Sequence, residues 1–193
     1  MNQDSGANRK PARRVVTGHD GNGKSIVWMD GTPPNIHNKG TLVDFIEIWN
    51  TSHSPAPLTA TEPEPTDGVL TTPPAATGTK IRFNDFYPGH IERLPPRQDG
   101  RHRMMHRTAS VDYGIVLEGE IWMILDDSEV LLKQGDVVVQ RGTDHGWENR
   151  SDKLCRVAFI LAGAFFTPEL RALLPAELEL RTGAVFEPTA NKE

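Results

Sequence analysis

The chain has 193 residues, long enough for one domain with a sizeable core, and its 37% hydrophobic and 24% charged residues are ordinary for a globular protein. Its formal net charge of −5 argues against nucleic acid as a partner, because phosphate binding needs a concentrated Lys and Arg surface. Cys155 is the single cysteine, so no disulfide can form within the chain, and no apolar run approaches the ~18 residues of a membrane span. We therefore expect a cytoplasmic protein that binds neither nucleic acid nor a membrane.

The N-terminal part predicts a polar tail, short strands and a long loop. Residues 1–12 are polar, and we expect them to be disordered. Two short strands then flank the turn "DGNGK", and the alternation in "TLVDFIEIWN" predicts another strand. Residues 51–79 hold six prolines and eight threonines, and proline lacks the amide donor that a sheet needs. We expect residues 13–79 to pack on a barrel formed by later strands, with little contribution from 51–79 to its core.

Residues 80–165 carry a dense series of strand signals. Short apolar or alternating runs such as "KIRFNDF", "EIWMILD" and "DVVVQR" are separated by turn signals such as "EG", "QGD" and "RGTD". This spacing is typical of an antiparallel sandwich or barrel. Within residues 166–193, Thr167 as N-cap followed by Pro168 predicts a short helix. The sequence thus indicates an all-β protein with extra N-terminal strands and a short C-terminal helix and tail.

Three polar side chains stand near predicted strand ends. His106 precedes Asp112 by six residues, and His145 follows the turn "RGTD". Asp112 shares one strand face with Gly114, so that this face could leave room for a ligand. Taken singly, each polar residue has an ordinary explanation, such as capping a strand or binding backbone amides. Taken together, they suggest a site.

The order of these residues resembles the cupin family. The first motif of that family has metal-binding histidines, then an acidic residue, six residues and a glycine; the second has a glycine, a short strand, a turn with glycine, then His and Asn. The resemblance covers roughly residues 80–165 and implies a double-stranded β-helix, or jelly-roll barrel, as in single-domain cupins of bacteria and fungal biosynthetic clusters. The matching segments are Asp112, "YGIVLE" and Gly119 for the first motif and Gly135, "DVVVQ", Gly142, His145 and Asn149 for the second.

The first motif departs from the family in its histidines. The usual His-x-His pair is absent, and His102 lies four residues before His106, roughly 13 Å away along a strand, so both cannot easily bind one ion. His106 is also one position out of register with the usual pair, which requires a bulge or loop. The resemblance therefore implies three protein ligands, His106, Asp112 and His145, for a divalent ion. Fe(II) and Zn suit this set best, and Mn or Ni are further options.

The resemblance implies an enzyme that acts on a small oxygen-bearing organic molecule. We rank oxygenase chemistry first, because two histidines and one carboxylate leave coordination positions open. A non-redox decarboxylase or lyase acting on a polyketide-like acid is the alternative, and the altered first motif favours a third possibility, a metal-free cupin that binds a small ligand. The sequence identifies no catalytic residue beyond the ligands. Arg107 and Arg141 flank the motifs and are candidates for binding a substrate carboxylate, and Trp147 is a candidate pocket wall.

The extra N-terminal strands suggest self-association. Trp28, Phe45 and Trp49 need burial, either on the outer face of the barrel or against a second copy under two-fold symmetry. Cupins often dimerise through such added strands, so the resemblance points to a homodimer.

Overall fold

A computed structural model describes residues 12–38 and 42–175. Of the tail expected over residues 1–12, only Ala12 falls in this range, and it is buried. The expected tail beyond the C-terminal helix lies outside the described residues from 176 onwards. In chain order the described strands are β1 (Arg14–His19), β2 (Ser25–Gly31), β3 (Ile36–Asn38), β4 (Val43–Thr51), β5 (Thr79–Phe86), β6 (Ser110–Glu118), β7 (Glu120–Ile124), β8 (Glu129–Lys133), β9 (Val137–Arg141), β10 (Gly146–Glu148) and β11 (Cys155–Gly163), followed by the helix α1 (Pro168–Leu173).

The strands form two main sheets and a hairpin. One sheet has six strands in the order β3-β4-β5-β11-β6-β9, and the other has three in the order β10-β7-β8. All pairings are antiparallel. The expected all-β class is thereby confirmed. Among the described residues, no helix is long and apolar enough to cross a membrane.

The N-terminal strands divide into two groups. Among the described strands, β1 and β2 pair only with each other. Their turn is stabilised by Asp20, whose Oδ1 accepts hydrogen bonds from the amides of Asn22 and Lys24. β4, by contrast, pairs with β5 along nearly its whole length, and β3 pairs with β4. β3 and β4 therefore belong to the six-stranded sheet, and the boundary expected at residue 80 falls inside that sheet.

The core lies between the two main sheets. Phe159 on the six-stranded sheet meets Trp147 on the three-stranded sheet edge to face, with 5.2 Å between ring centroids. Each buried apolar side chain of this size stabilises the fold by about 1.5–3 kcal/mol through burial. Side chains from both sheets make up the cluster: Val43, Phe86, Val116, Ile121, Met123, Leu132, Trp147, Cys155, Val157, Phe159 and Leu161.

The inner face of the six-stranded sheet changes character along its strands. Val157 on β11 stands directly opposite Val116 on β6, whereas two positions further on Phe159 stands opposite Arg82 on β5. On β6, Gly114 stands opposite Phe159, and the next inward residue beyond it is Asp112. One end of the barrel interior is thus apolar, and the other end carries buried charge.

The Pro- and Thr-rich segment covers this charged end. Between β4 and β5 the structure contains no strand or helix, as the prolines indicated. Leu70 is nevertheless only 3% exposed, and the carbonyl oxygen of Thr71 accepts a 2.7 Å hydrogen bond from Lys80 Nζ. The segment therefore lies over the barrel end. The C-terminal helix also matches its sequence signal, because the Thr167 hydroxyl accepts from the amide of Leu170.

Candidate functional site

His106 and His145 are held side by side by their own backbones. The amide of His106 donates to the carbonyl of His145 over 2.9 Å, and the amide of His145 donates to the carbonyl of His106 over 3.0 Å. This two-residue antiparallel bridge brings the imidazole ring centroids to 4.2 Å from each other. Two residues 39 positions apart in the chain therefore present their side chains together.

The hydrogen bonds of both rings select one tautomer. His106 Nδ1 lies 2.7 Å from the carbonyl oxygen of Met104, and His145 Nδ1 lies 3.0 Å from that of Thr143. Because a carbonyl only accepts, each Nδ1 carries the proton and each Nε2 keeps a lone pair. Burial lowers the pKa of His145 to about 4, so this ring is neutral at pH 7. Neutral imidazoles with Nδ1 bound to a carbonyl are the form that ligates metal ions.

A buried ion pair flanks the two histidines. Arg107, next to His106, donates from Nη2 to Oδ2 of Asp144 over 2.6 Å, and Asp144 is the neighbour of His145. Arg107 and Asp144 are only 3% and 5% exposed. The pair therefore ties together the two segments that carry the histidines.

The arginines proposed from the sequence do not line a cavity. Arg107 is bound to Asp144 in the interior, and its guanidinium is therefore not available to a substrate carboxylate. Arg141 is exposed on β9. Neither residue belongs to the walls of the two cavities described below. The partner that occupies Arg107 lies 37 residues away in the chain, which is why the sequence motif alone suggested otherwise.

Asp112 and Gln140 face each other on neighbouring strands of the inner sheet surface. They are directly paired across β6 and β9, and they are 5% and 2% exposed. Asp112 Oδ1 has no hydrogen-bond partner, and neither has the amide oxygen or the amide nitrogen of Gln140. Burial raises the pKa of the Asp112 carboxyl above its ordinary value. Buried polar atoms without a partner are costly, so this place in the fold is suited to a ligand.

These groups surround a small inner cavity. Its volume is about 30 Å³, close to the space that one water molecule occupies in the liquid. His106, Asp112 and His145 all line it, as does Trp147, which the sequence proposed as a pocket wall. In residues 12–38 and 42–175, however, no three His, Cys, Asp or Glu side chains stand close enough to hold a metal ion without adjustment.

The structure shows two further details of the first motif, one in the loop after His106 and one at Gly114. His106 reaches β6 through a loop, as its register required, and Thr108 on this loop lines the inner cavity. A hydroxyl thus stands two residues after His106 in the wall of the inner cavity. The space expected beside Gly114 is filled, because a Cβ there would lie 2.9 Å from Val138 and 3.2 Å from Phe159.

Arg82, like Gln140 and Thr108, is a site residue that the sequence analysis missed. It is 5% exposed, lies on β5 and lines both cavities. Its Nη1 lies 3.3 Å from the carbonyl oxygen of Thr71 and 3.9 Å from Glu47 Oε1, and its Nε has no acceptor. The available signal was the alternation in "KIRFNDF", which places Lys80, Arg82 and Asn84 on one face of a strand.

A larger outer cavity of about 310 Å³ lies beside the inner one. The two cavities share Thr72, Arg82 and His106 in their walls. Much of the remaining wall is apolar, with two further arginines, Arg97 and Arg103, and no acidic residue. The apolar part consists of Val43, Phe45, Leu94, Pro95, Pro96 and Met104.

Comparison with known proteins identifies the class that this fold and site define. The family model described as "Cupin domain" matches residues 90–161. A relative in Diaporthe leptostromiformis, named phomopsin biosynthesis cluster protein D, is 38% identical over 157 residues, which are 78% of this chain and 77% of the relative. The chain therefore belongs to the cupin family, and this membership together with the two antiparallel sheets confirms the jelly-roll expectation.

Two further matches are a relative named as an oxidoreductase and a solved cupin structure. The cupin-domain-containing oxidoreductase virC of Hypocrea virens is 33% identical over 147 residues, covering 70% of this chain and 66% of virC. Among solved structures, the cupin domain of Schizosaccharomyces pombe Cnp3 is similar with a TM-score of 0.45 and 12% identity, covering 80% of this chain and 89% of that domain.

Proposed function

We propose that this cupin is a metal-dependent oxidoreductase of the oxygenase type, which acts on a small oxygen-bearing organic molecule. The observation that carries the proposal is the bridged histidine pair, with both Nδ1 atoms turned to backbone carbonyls beside an unpartnered Asp112 oxygen. Several relatives, virC among them, are named cupin-domain-containing oxidoreductases, which supports the reaction class. We keep the cytoplasm as the proposed compartment, because a single cysteine provides no disulfide within the chain.

The donor set fits a divalent ion with one adjustment. His106 and His145 supply two imidazoles at the wall of the inner cavity, and the His145 ring is neutral at pH 7. Asp112 lines the same cavity and would complete a set of two histidines and one carboxylate if its side chain turned towards the two rings. Such a set suits Fe(II) and also Zn, with Mn or Ni as further candidates. A bound metal would supply open positions for dioxygen or for an oxygen atom of the substrate.

The remaining residues of the site have roles that follow from their contacts. Trp147 and Phe159 form an apolar wall that excludes bulk water from the inner cavity. Gln140, opposite Asp112, can donate its amide hydrogens to that carboxylate or to a bound oxygen. Arg82 lines both cavities, and its Nε, which has no acceptor, has a hydrogen to donate to a substrate oxygen.

A metal-free ligand-binding cupin is the second candidate. It is favoured by one observation, that within the described residues no three potential ligands converge as they stand. Under this alternative, Asp112, Gln140 and Arg82 would bind the ligand directly. The non-redox decarboxylase or lyase remains a variant of the first proposal, with the same ligands and a carboxylic acid as substrate.

Metal loading of matched variants tests the proposal. Equilibrium dialysis against Zn(II), or against Fe(II) without oxygen, should load about one ion per chain, and His145→Ala should abolish stoichiometric loading because it removes one of two imidazoles. The β-rich circular dichroism spectrum should stay intact. His19→Ala is the control, because His19 is exposed on β1 and remote from both cavity walls. Equal loading of His145→Ala and wild type would overturn the ligand assignment, and persistent absence of metal would favour the metal-free binder.

A further inference from the structure

We infer that the substrate is an apolar organic acid whose body occupies the outer cavity and whose carboxylate pairs with Arg103. The inference deepens the proposed function and rests on it in one respect, that the chain acts on a small organic molecule; it adds that the outer cavity is the compartment for this molecule. The inference is based on the composition of the wall of the outer cavity, which has three arginines, six apolar residues and no acidic residue.

The charges of the three arginines are not equally compensated. Arg97 is paired with Asp99 over 2.6 Å at the surface, and Arg82 has Glu47 as an acidic neighbour at 3.9 Å. Arg103 donates from Nη1 to the carbonyl oxygens of Ile91 and Leu94 over 3.0 and 2.9 Å. These carbonyls anchor the guanidinium without neutralising it. Arg103 therefore presents a positioned positive charge to the cavity, and a carboxylate is the group that a guanidinium binds with two parallel hydrogen bonds.

The size and polarity of the wall define the rest of the ligand. A volume of about 310 Å³ lies at the lower end of the ~300–1,000 Å³ range of small-molecule pockets, which corresponds to a molecule of one or two rings. Phe45 and Met104 offer an aromatic face and a polarisable side chain to such a ring. An apolar body in this wall gains from leaving water, whereas a sugar or a nucleotide would lose hydrogen bonds there.

The junction between the cavities sets the orientation of the ligand. Arg82 Nε is a buried donor without an acceptor, and Arg82 shares the junction with His106. A hydroxyl or carbonyl oxygen at the inner end of the substrate would satisfy this donor. The substrate class is therefore an apolar, one- or two-ring acid with its carboxylate at Arg103 and a second oxygen directed towards the histidine pair.

A matched pair of probes separates charge from shape. 2-Naphthoate and 2-naphthamide have nearly the same size, but only the first is an anion. Calorimetric titration of the full chain, as purified and after treatment with a chelator, should show naphthoate binding at least tenfold more tightly in both preparations. Arg103→Gln should remove this preference while leaving the Kd of naphthamide unchanged. Arg103→Lys should restore part of it, since the charge returns without the guanidinium geometry.

Arg93→Gln provides the control for general electrostatics. Arg93 is exposed on the short 3-10 helix Ile91–Arg93, close in sequence to the carbonyls that anchor Arg103, but outside the wall of the cavity. This variant should keep the full preference for naphthoate. Equal affinity of wild type for the two probes would overturn the acid assignment, and failure of both probes to bind would overturn the outer cavity as the substrate compartment. Both results are independent of metal loading, which the dialysis experiment tests separately.

Discussion

The Arg107–Asp144 ion pair permits a quantitative test of how the histidines are positioned. Asp144→Ala would leave the buried Arg107 guanidinium without its carboxylate, since Arg107 is 3% exposed and its Nη2 lies 2.6 Å from Asp144. Breaking a buried pair by removing one partner costs about 3–5 kcal/mol. At about 2–4 °C per kcal/mol for a chain of this size, Tm should fall by about 6–20 °C. Arg101 also reaches Asp144, at 3.3 Å, but it is partly exposed and should add little.

The double variant separates the ion pair from simple packing. Arg107→Met combined with Asp144→Leu removes both charges and keeps apolar volume in the interior, so it should recover most of the lost stability. Urea unfolding followed by circular dichroism measures the free energy of unfolding of each variant. A loss below about 1 kcal/mol for Asp144→Ala, or a double variant no more stable than the single one, would refute the reasoning. Because the pair flanks His106 and His145, Asp144→Ala should also weaken metal loading.

Three further predictions concern other parts of the chain. The Arg14 guanidinium holds the pKa of Glu64 at about 2, so this pair should stabilise the fold above about pH 4.5. Urea unfolding should show that wild type loses this stabilisation as pH falls towards 2, whereas Glu64→Gln has none to lose. Burial raises the pKa of Cys155 to about 12, so the thiol should resist alkylation at pH 8 in the native protein and react only in denaturant. Rapid labelling of the native protein would contradict the buried position of this thiol. Trp28 on β2 and Trp49 on β4 are only partly buried, and Val27 beside Trp28 is 61% exposed, so we keep the homodimer expected through the N-terminal strands. Light scattering should give twice the 21.4 kDa mass of the chain, reduced to that of a monomer by Val27→Asp.

Much of the secondary structure could be predicted because it depends on local pattern. The alternation in "TLVDFIEIWN" and "DVVVQR" gave strands at β4 and β9, and the capping Thr167 gave the short helix. Period-two counting also placed Asp112 and Gly114 on one face of β6, and this face is the inward one. His106, Asp112 and His145, which the resemblance to cupins selected, all line the inner cavity.

What the sequence could not provide depends on contacts between distant segments. Arg107 was a candidate for the substrate until the fold placed Asp144 against it, 37 residues later. Arg82 gained its role because the sheet order sets β5 beside β4 and β11, which brings Glu47 towards its guanidinium. Thr71 and Thr72, in a segment read as a surface loop, close the charged end of the barrel for a similar reason.

The central claim is that His106 and His145 both bind one metal ion, with Asp112 completing the set. X-ray absorption at the zinc edge of the zinc-loaded protein tests it most directly, because outer-shell scattering counts imidazole ligands. Wild type should show two imidazoles with Zn–N distances of about 2.0–2.1 Å and an additional oxygen ligand, and any residual zinc that His145→Ala retains should show no more than one imidazole. A spectrum without imidazole scattering, or one that is the same in His145→Ala, would contradict the claim.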